Sequence, residues 1–348
     1  MQVRTDAYFS EHTTLRVGGA VKRLVEAEST DEALEVLAQC DAAGEPVLIL
    51  GGGSNLLVAD SGPDLTALAL RTHGIDVVGD GEFLVVSVAA GESWDAFVAQ
   101  SVDAGWSGVE TLAGIPGLVG ATPIQNVGAY GQEVSDTLVA VDVVDRATGE
   151  RQSLSAAECA FGYRTSRFKQ APGEFVVLGV TFGLRRTSSS SPVRYAELAA
   201  ALGVRVGETA PPSRVREAVL ALRRRKGMVL DDDDHDTWSA GSFFTNPVVD
   251  AGEAARLPDA APRFDAGDGL VKLSAAWLIE QSGFGRGAGG ELTNDRVTLS
   301  TKHTLAITNR GNATASDVLT LARAVHLAVA DTFGVSLVTE PTLVGCHL

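Results

Sequence analysis

Cysteine is scarce in this chain, and acidic residues outnumber basic ones. Three cysteines occur in 348 residues, and they have neither the number nor the spacing of a disulfide framework or a C-x-x-C metal site. They are Cys40, Cys159 and Cys346. The formal net charge of −16 argues against non-specific binding to nucleic acid or to an anionic membrane surface. We therefore expect a protein of the reducing cytoplasm without a nucleic-acid partner.

Long apolar runs are also missing. No stretch is long enough to cross a bilayer, and residues 1–6 lack the apolar region of a signal peptide. We expect no membrane insertion. The length allows two or three domains and a sizeable core.

Several common catalytic motifs are absent. No Walker A lysine accompanies the glycine-rich loops, and Leu56 stands where the fingerprint G-x-G-x-x-G needs its last glycine. The set Gly285, Gly287 and Gly290 fits that fingerprint but follows a predicted helix, so we interpret it as a flexible loop. No Gly-x-Ser-x-Gly elbow is present, which disfavours hydrolase chemistry.

Two glycine-rich loops are the most informative feature that is present. The first is Gly51-Gly52-Gly53-Ser54-Asn55, after a predicted strand at 46–50. The second is Gly114-Ile115-Pro116-Gly117, continued by Gln125-Asn126-Val127-Gly128-Ala129-Tyr130-Gly131. Glycine lets backbone N–H groups approach a diphosphate closely, because no Cβ intervenes. Two such loops predict a ligand as large as FAD.

The periodicity predicts a mixed α+β chain rather than a regular doubly wound sheet. Helices are predicted at 31–43, 94–104, 213–226 and 316–332. The first is opened by a capping box, Ser29-x-x-Glu32, and the second is capped by Ser93. Strands are predicted at 46–50, 84–89, 139–145, 175–184 and 335–344. Residues 188–192 and 211–213 bracket a segment that looks like a linker.

Four polar features each allow two interpretations. Residues 163–169 form either a solvated basic strand or, through Arg164, a bidentate grip on a carboxylate or phosphate. Ser242, between a glycine and two phenylalanines, is either a turn residue or a proton relay. Glu340 precedes a proline, which holds its backbone extended. Without further context we interpret it as an ordinary surface carboxylate. The acidic segment at 231–236 lacks EF-hand spacing, so we expect a solvated, mobile loop without a metal.

In chain order these motifs resemble the UDP-N-acetylenolpyruvoylglucosamine reductase (MurB) family. The resemblance runs from Thr14 to Gly345. Besides the glycine loops it is carried by Tyr163-Arg164-x-Ser166-x-Phe168-Lys169, Ala240-Gly241-Ser242-Phe243-Phe244-x-Asn246-Pro247 and Glu340-Pro341. It implies a vanillyl-alcohol-oxidase-like (PCMH-type) FAD-binding domain over 1–187, with subdomains at about 1–65 and 66–187. An α+β substrate-binding domain would follow over 188–348, its last residues returning to the active-site cleft.

The resemblance also implies the chemistry. NADPH would reduce noncovalent FAD, and hydride from flavin N5 would reduce UDP-N-acetylglucosamine enolpyruvate to UDP-N-acetylmuramate in peptidoglycan precursor synthesis. Ser242 would be the proton donor, while Arg164 and Glu340 would stabilise the enolate. The protein would be a cytoplasmic monomer acting on small molecules, and no metal is implied.

The remaining site residues are carried over from the family. The cofactor contacts would be Gly51, Gly52, Gly53, Ser54, Asn55, Gly114, Ile115, Pro116, Gly117, Gln125, Asn126, Gly128, Ala129 and Tyr130. The substrate contacts would be Tyr163, Tyr195, Lys226, Asn246 and His303. Residues 188–202 look like the extra loop of one family type, whose tyrosine closes over the nucleotide-sugar.

Two alternatives stay open at this point. One is an oxidase of the same fold acting on a sugar or aryl alcohol; many of these attach FAD through a histidine near the first glycine loop, which this loop lacks. The other is a flavin- or nucleotide-binding regulator without turnover, in which a decayed set of catalytic residues would be expected.

Overall fold

The chain forms two compact units, each assembled from separate segments. The structure is a computed structural model that describes all 348 residues. The first unit comprises Met1–Asp6, Val21–Gly52 and Asp64–Arg225. The second comprises Ala7–Ala20, Gly53–Pro63 and Lys226–Leu348.

The structure has both helices and strands throughout, as the mixed α+β prediction requires. The helices are α1 Thr30–Ala43, α2 Trp94–Asp103, α3 Arg167–Gln170, α4 Ala196–Leu202, α5 Pro212–Arg225, α6 Ala251–Ala255, α7 Ala275–Gln281 and α8 Ala315–Phe333. The strands are β1 Gln2–Arg4, β2 Arg23–Ala27, β3 Val47–Leu50, β4 Leu56–Val58, β5 Thr66–Leu70, β6 Ile75–Val78, β7 Phe83–Ala89, β8 Trp106–Ser107, β9 Gly128–Ala129, β10 Gln132–Glu133, β11 Leu138–Asp145, β12 Arg151–Ser155, β13 Phe175–Arg186, β14 Val248–Asp250, β15 Arg263–Asp265, β16 Leu270–Leu273, β17 Val297–Leu299, β18 Ile307–Asn309 and β19 Thr342–Val344.

Two sheets organise the first unit. The smaller has the order β1-β2-β5-β3, and β2, β5 and β3 run parallel in it. The larger has the order β12-β11-β13-β7-β6, is antiparallel, and takes β8 at the end of β13. Strand β3 leads directly into Gly51 and Gly52, so the first glycine loop begins at the end of a strand of the parallel sheet.

An aromatic cluster fills the core beside the larger sheet. Trp94 and Phe97 of α2 pack on Phe182 of β13, with ring centroids 5.3–5.8 Å apart. All three side chains are fully buried. Ser93 caps α2 by accepting a hydrogen bond from the Ala96 N–H, as the sequence predicted. This packing fixes the helix whose first turn contacts the second glycine loop.

Helices α7 and α8 form the core of the second unit together with the buried side chains of β17 and β18. Thr314 and Asp317 form a capping box at the start of α8, and Gly334 ends the helix in the left-handed conformation. Strand β4 pairs in parallel with β19, which places the C-terminal residues beside the continuation of the first glycine loop.

Two sequence expectations need correction. The strand predicted at 335–344 is wrong: only Thr342–Val344 is a strand, preceded by a single bridge from Thr339 to Phe244. Pro341 has no N–H to donate, which interrupts the ladder at that point. The segment between 192 and 211 is no extended linker, because it contains α4 and packs within the first unit. The division into functional domains at residue 187 stays a prediction.

None of the helices is long and apolar enough to cross a membrane.

Candidate active site

The two glycine-rich loops meet within the first unit. A Cβ added to Gly52 would lie 2.7 Å from the Gly117 Cα atom, far inside van der Waals contact. Gly52 therefore packs backbone against backbone, and only glycine permits that separation. The two glycine-rich loops that the sequence singles out therefore contact each other at Gly52 and Gly117.

A carboxylate on α2 holds the beginning of the second loop. Asp95 Oδ1 accepts a hydrogen bond of 2.6 Å from the Gly114 N–H. At the other end, the Trp94 N–H donates to the Gly117 carbonyl at 3.1 Å. The first turn of α2 thus fixes both ends of Gly114-Ile115-Pro116-Gly117.

The substitution Gly52→Ala tests whether this close approach is needed for cofactor binding. We expect it to destabilise the protein by about 2 kcal/mol, since a backbone segment must move, and to lower the bound flavin several-fold. The measurement is the flavin-to-protein absorbance ratio after purification, with the melting temperature alongside. Gly81→Ala is the matched control, because its Cβ would meet nothing within 4 Å. A Gly52→Ala protein with full flavin content would contradict the prediction.

The segment that continues the second loop is braced by the Tyr163–Arg164 turn. Arg164 adopts the left-handed conformation with φ of 53°, and its Nη2 donates to the Gly128 carbonyl at 2.8 Å. Residues 162–165 form a tight turn rather than the basic strand that was one expectation. Lys169 Nζ donates to Gln125 Oε1 at 3.3 Å. Arg164, predicted to be catalytic, and Gln125, predicted to contact the cofactor, thus both take part in contacts between the 125–128 and 164–169 segments.

Asn126 and Tyr130 have left-handed backbones at the two ends of this segment. Their φ angles are 48° and 52°. Asn126 is buried, and its side-chain amide donates to Glu133 Oε2 at 2.7 Å. Left-handed residues of this kind are uncommon outside glycine and cluster at functional sites.

Tyr130 is half-buried in a charged environment. Burial raises its pKa to about 12, partly opposed by the charge of Arg223 on α5. Burial lowers the pKa of Arg223, and the interactions with Tyr130 and Asp95 partly oppose this by raising it. The Tyr195 ring packs edge-on against Tyr130, with centroids 5.6 Å apart. A predicted substrate contact and a predicted cofactor contact are therefore neighbours.

The segment that carries Tyr195 is fastened at its base. Glu110, fully buried, accepts hydrogen bonds from the Ser107 hydroxyl, the Gly108 N–H and the Ser191 N–H. Arg194 pairs with Asp136 at 3.4 Å. The Tyr195 side chain itself is about half exposed. The arrangement leaves an accessible ring on an anchored segment.

In the second unit, Asn55, Ser242 and Glu340 are brought together by backbone pairing. The Glu340 N–H donates to the Phe243 carbonyl at 2.9 Å, one residue after Ser242. The Asn55 side chain donates to the Glu340 carbonyl at 3.3 Å. Gly53 has φ of 61°, and a Cβ there would lie 1.8 Å from the His12 carbonyl oxygen. Asn55 of the first glycine loop thus contacts Glu340, and Glu340 pairs with the residue that follows Ser242.

Three predicted substrate residues also belong to this unit. Lys226 follows α5 directly and is the first residue of the last segment of the second unit. Asn246 uses its Oδ1 to accept from the Ala275 N–H at the start of α7, so it has a structural contact there. His303 is half-buried in the hairpin loop between β17 and β18.

The acidic segment 231–236 is solvated in its first half, where Asp231, Asp232 and Asp233 are exposed, and anchored in its second half. Asp236 is buried and accepts hydrogen bonds from Thr301 and Arg310. Asp234 pairs with Lys302, and Asp232 pairs with Arg16. The expectation of a solvated loop therefore holds for residues 231–233 and fails at Asp236, because the partners of Asp236 are distant in sequence. The described residues contain no group of His, Cys, Asp or Glu side chains arranged to hold a metal.

Sequence reasoning assigned no role to Asp95 and Glu110, which hold segments of the predicted site. Glu110 stands in an otherwise apolar run, and a lone charge in such a run is a signal for a buried, hydrogen-bonded group. Asp95 sits in the first turn of a predicted helix, where a carboxylate is favourable in any case. Nothing in its local pattern indicates the contact to Gly114.

The residues present fit FAD. The meeting of Gly52 with Gly117 forms a backbone cradle that any side chain would fill. Such cradles offer N–H groups to a diphosphate. The apolar and amide side chains that follow the second loop suit the remaining, uncharged parts of the cofactor.

Comparison with known proteins agrees with this geometry. Residues 21–155 match an FAD binding domain, and residues 233–344 match the C-terminal domain of UDP-N-acetylenolpyruvoylglucosamine reductase. The Thermobifida fusca protein named UDP-N-acetylenolpyruvoylglucosamine reductase is 51% identical over 350 residues, which cover 97% of each chain. The chain belongs to the UDP-N-acetylenolpyruvoylglucosamine reductase (MurB) family.

Other relatives carry the same family name. The Cutibacterium acnes protein of the same name is 51% identical over 97% of this chain and 89% of its own. A crystal structure of the MurB reductase from Thermus caldophilus superposes with a TM-score of 0.67 at 27% identity, covering 99% of this chain and 100% of that one. Membership confirms the FAD-binding α+β fold and the reductase assignment. It decides against the oxidase and the regulator without turnover.

Proposed function

We propose that this MurB-family reductase uses NADPH to convert UDP-N-acetylglucosamine enolpyruvate into UDP-N-acetylmuramate. FAD, when bound, supplies to the terminal enol carbon a hydride that it has taken from NADPH. The carbon–carbon double bond of the enolpyruvyl ether then becomes single. The second hydrogen arrives as a proton on the carbon that carries the carboxylate, and this chain's side chains control that step.

Ser242 is proposed to give that proton from its Oγ, regaining one from solvent afterwards. A serine hydroxyl is a weak acid, so it serves only where the receiving carbon is well placed and the negative charge is shared. Arg164 would share it by binding the substrate carboxylate through its guanidinium. Glu340 would contribute in the protonated state or by orienting a donor, since a second anion would oppose the enolate.

The observation that carries the proposal is the backbone pairing of Glu340 with Phe243. Residues almost a hundred positions apart are held so that Ser242 and Glu340 lie on neighbouring segments. Arg164 supports the proposal independently, because a left-handed backbone at a charged, half-buried arginine is a costly arrangement. Its contact with the Gly128 carbonyl ties it to the predicted cofactor loop.

Substrate recognition is proposed to use Tyr163, Tyr195, Lys226, Asn246 and His303. Lys226 would contact a phosphate as a point charge. Tyr195 would stack on the uracil or shield the diphosphate, and the chain would then be of the family type with the extra loop, here at 188–202. Its half-exposed ring on a fastened segment supports this role.

Tyr195→Ala is expected to raise the KM for the nucleotide-sugar about tenfold, because stacking of a base on an aromatic ring contributes about 1–3 kcal/mol. Steady-state kinetics with varied substrate measures it. Tyr8→Ala, at another half-exposed tyrosine, is the control and should leave KM unchanged. An unaltered KM in Tyr195→Ala would remove this residue from the substrate site.

The domain roles are part of the same proposal. Residues 1–187 would bind FAD noncovalently, and residues 188–348 would bind substrate. The protein would work as a monomer in the cytoplasm and would have no nucleic-acid partner, in keeping with its net negative charge.

Product analysis tests the proposed reaction. Purified protein is incubated with NADPH and UDP-N-acetylglucosamine enolpyruvate, and the nucleotide product is identified by mass spectrometry. We expect a product heavier than the substrate by two hydrogens, formed in step with NADPH oxidation. A parallel series with NADH measures the preference between the two reductants. NADPH consumption without that product would reject the proposal.

A further inference from the structure

The acidic segment, residues 231–236, contains one buried carboxylate with an unusual set of partners. Asp236 is 4% exposed. Its Oδ1 accepts from the Thr301 N–H at 2.9 Å, and its Oδ2 accepts from the Thr301 hydroxyl at 2.5 Å. Both carboxylate oxygens therefore engage the same residue. That two-point contact fixes the orientation of Thr301 as well as its position.

Thr301 belongs to the loop of the β17–β18 hairpin that bears His303. Within this His303 loop, residues 300–306, the Ser300 hydroxyl accepts from the Lys302 N–H at 3.0 Å and from the His303 N–H at 3.2 Å. The Ala306 N–H closes the loop on the His303 carbonyl at 3.0 Å. A shift at Thr301 is therefore transmitted to the His303 backbone.

The acidic segment is itself held in place from other directions. Arg310 Nη1 donates to Asp236 Oδ1 at 3.0 Å, from just beyond β18. Asp234 pairs with Lys302, a second contact to the His303 loop. Gly227, with φ of 65°, packs against Asp236, since a Cβ there would lie 2.9 Å from its carbonyl oxygen. The segment thus spans from the residue after Lys226 to the His303 loop.

Charge is required for this arrangement. Burial raises the pKa of Asp236, but the hydrogen bonds from Thr301 and Ser300 and the charge of Arg310 outweigh burial and lower it overall. Asp236 is consequently ionised at neutral pH. Hydrogen bonds to a charged acceptor are roughly twice as strong as those to a neutral one.

We propose that Asp236 is a positioning residue for substrate binding: it holds the His303 loop, through Thr301, in the orientation in which His303 contacts the nucleotide-sugar. The inference rests on the proposed function, because it takes His303 as a substrate contact. Asp236 itself touches no substrate.

The test compares single and double variants of the holoenzyme. Asp236→Asn removes an acceptor oxygen and leaves Arg310 without its carboxylate. We expect the KM for UDP-N-acetylglucosamine enolpyruvate to rise on the order of ten- to a hundredfold, as small misplacements of a binding group do, with kcat changed much less. Thr301→Val, which removes one of the two contacts and keeps the Asp236–Arg310 pair, should raise KM in the same direction and by less.

The decisive readout is coupling to His303. If Asp236 acts through His303, Asp236→Asn should add no further rise in KM to a His303→Ala enzyme. Additive effects would overturn the proposal and leave Asp236 a general stabiliser of the fold. Asp232→Asn is the matched control in the same acidic segment, because Asp232 is exposed and pairs with Arg16 instead. Its KM should equal that of the wild type.

Failure of this inference is distinguishable from failure of the proposed function. If the wild type forms no UDP-N-acetylmuramate, the proposed function fails. If the wild type turns over and Asp236→Asn keeps the wild-type KM, the positioning role alone is rejected. Thr301→Val covers the case in which Asp236→Asn does not fold, since an unchanged KM in Thr301→Val would then reject the role.

Discussion

Ser242→Ala is expected to slow the reoxidation of reduced flavin by the enolpyruvyl substrate about a thousandfold, the middle of the range for a lost general acid. Reduction of the flavin by NADPH should be unchanged, because the hydroxyl is assigned only to the proton that reaches the enolpyruvyl carbon. Stopped-flow absorbance under anaerobic conditions measures the two half-reactions separately.

The structure offers a control for Ser242 in the same unit. The Ser282 hydroxyl donates to the Leu278 carbonyl at the end of α7, an ordinary helix-end contact. Ser282→Ala should keep both half-reactions at wild-type rates. If Ser242→Ala slows flavin reduction and reoxidation equally, the residue has a structural role and another group supplies the proton.

Arg164→Met is expected to lower the rate of the same substrate half-reaction by about two to three orders of magnitude, since under the proposed mechanism it removes the positive charge that stabilises the enolate. Arg164→Lys should fall between methionine and the wild type, because lysine keeps the charge and loses the planar fork. The rate constant for reoxidation at saturating substrate is the quantity to compare.

Arg167→Met provides the comparison for a nearby cation. Arg167 pairs with Glu174 at 2.9 Å and lies over the Phe175 ring, so its removal should cost some stability without a change in reoxidation rate. Equal losses in Arg164→Met and Arg167→Met would mean that the whole turn matters for folding and that no specific charge acts on the substrate.

Local features of the fold could be predicted from the sequence because their causes are local. Ser93 and Ser29 cap their helices as predicted, each accepting from the N–H three residues on. The glycine loops were recognisable from residue type alone, and Gly52 lies against Gly117, a contact between the loops that the predicted approach to a diphosphate did not specify. The strand predicted at 335–344 failed because a run of β-branched residues does not show where pairing partners are interrupted.

The finer structure of the site depends on contacts that no local pattern shows. Asp236 accepts hydrogen bonds from residues 65 and 74 positions away. Without knowledge of these partners, the acidic segment is expected to be solvated throughout. The left-handed backbone of Arg164 follows from the turn that brings its guanidinium to Gly128, which residue types alone do not specify. The order of the motifs along the chain carries the resemblance to the family. The hydrogen-bond partners of each side chain are set by tertiary contacts instead.

The central claim is that one bound flavin accepts hydride from NADPH and passes it to the enolpyruvyl substrate. An anaerobic absorbance trace tests it most directly: NADPH is added first, and UDP-N-acetylglucosamine enolpyruvate second. We predict that NADPH bleaches the flavin band and that the substrate restores it without oxygen. A flavin that NADPH bleaches and that only oxygen restores would contradict the account, as would a purified protein that binds no flavin.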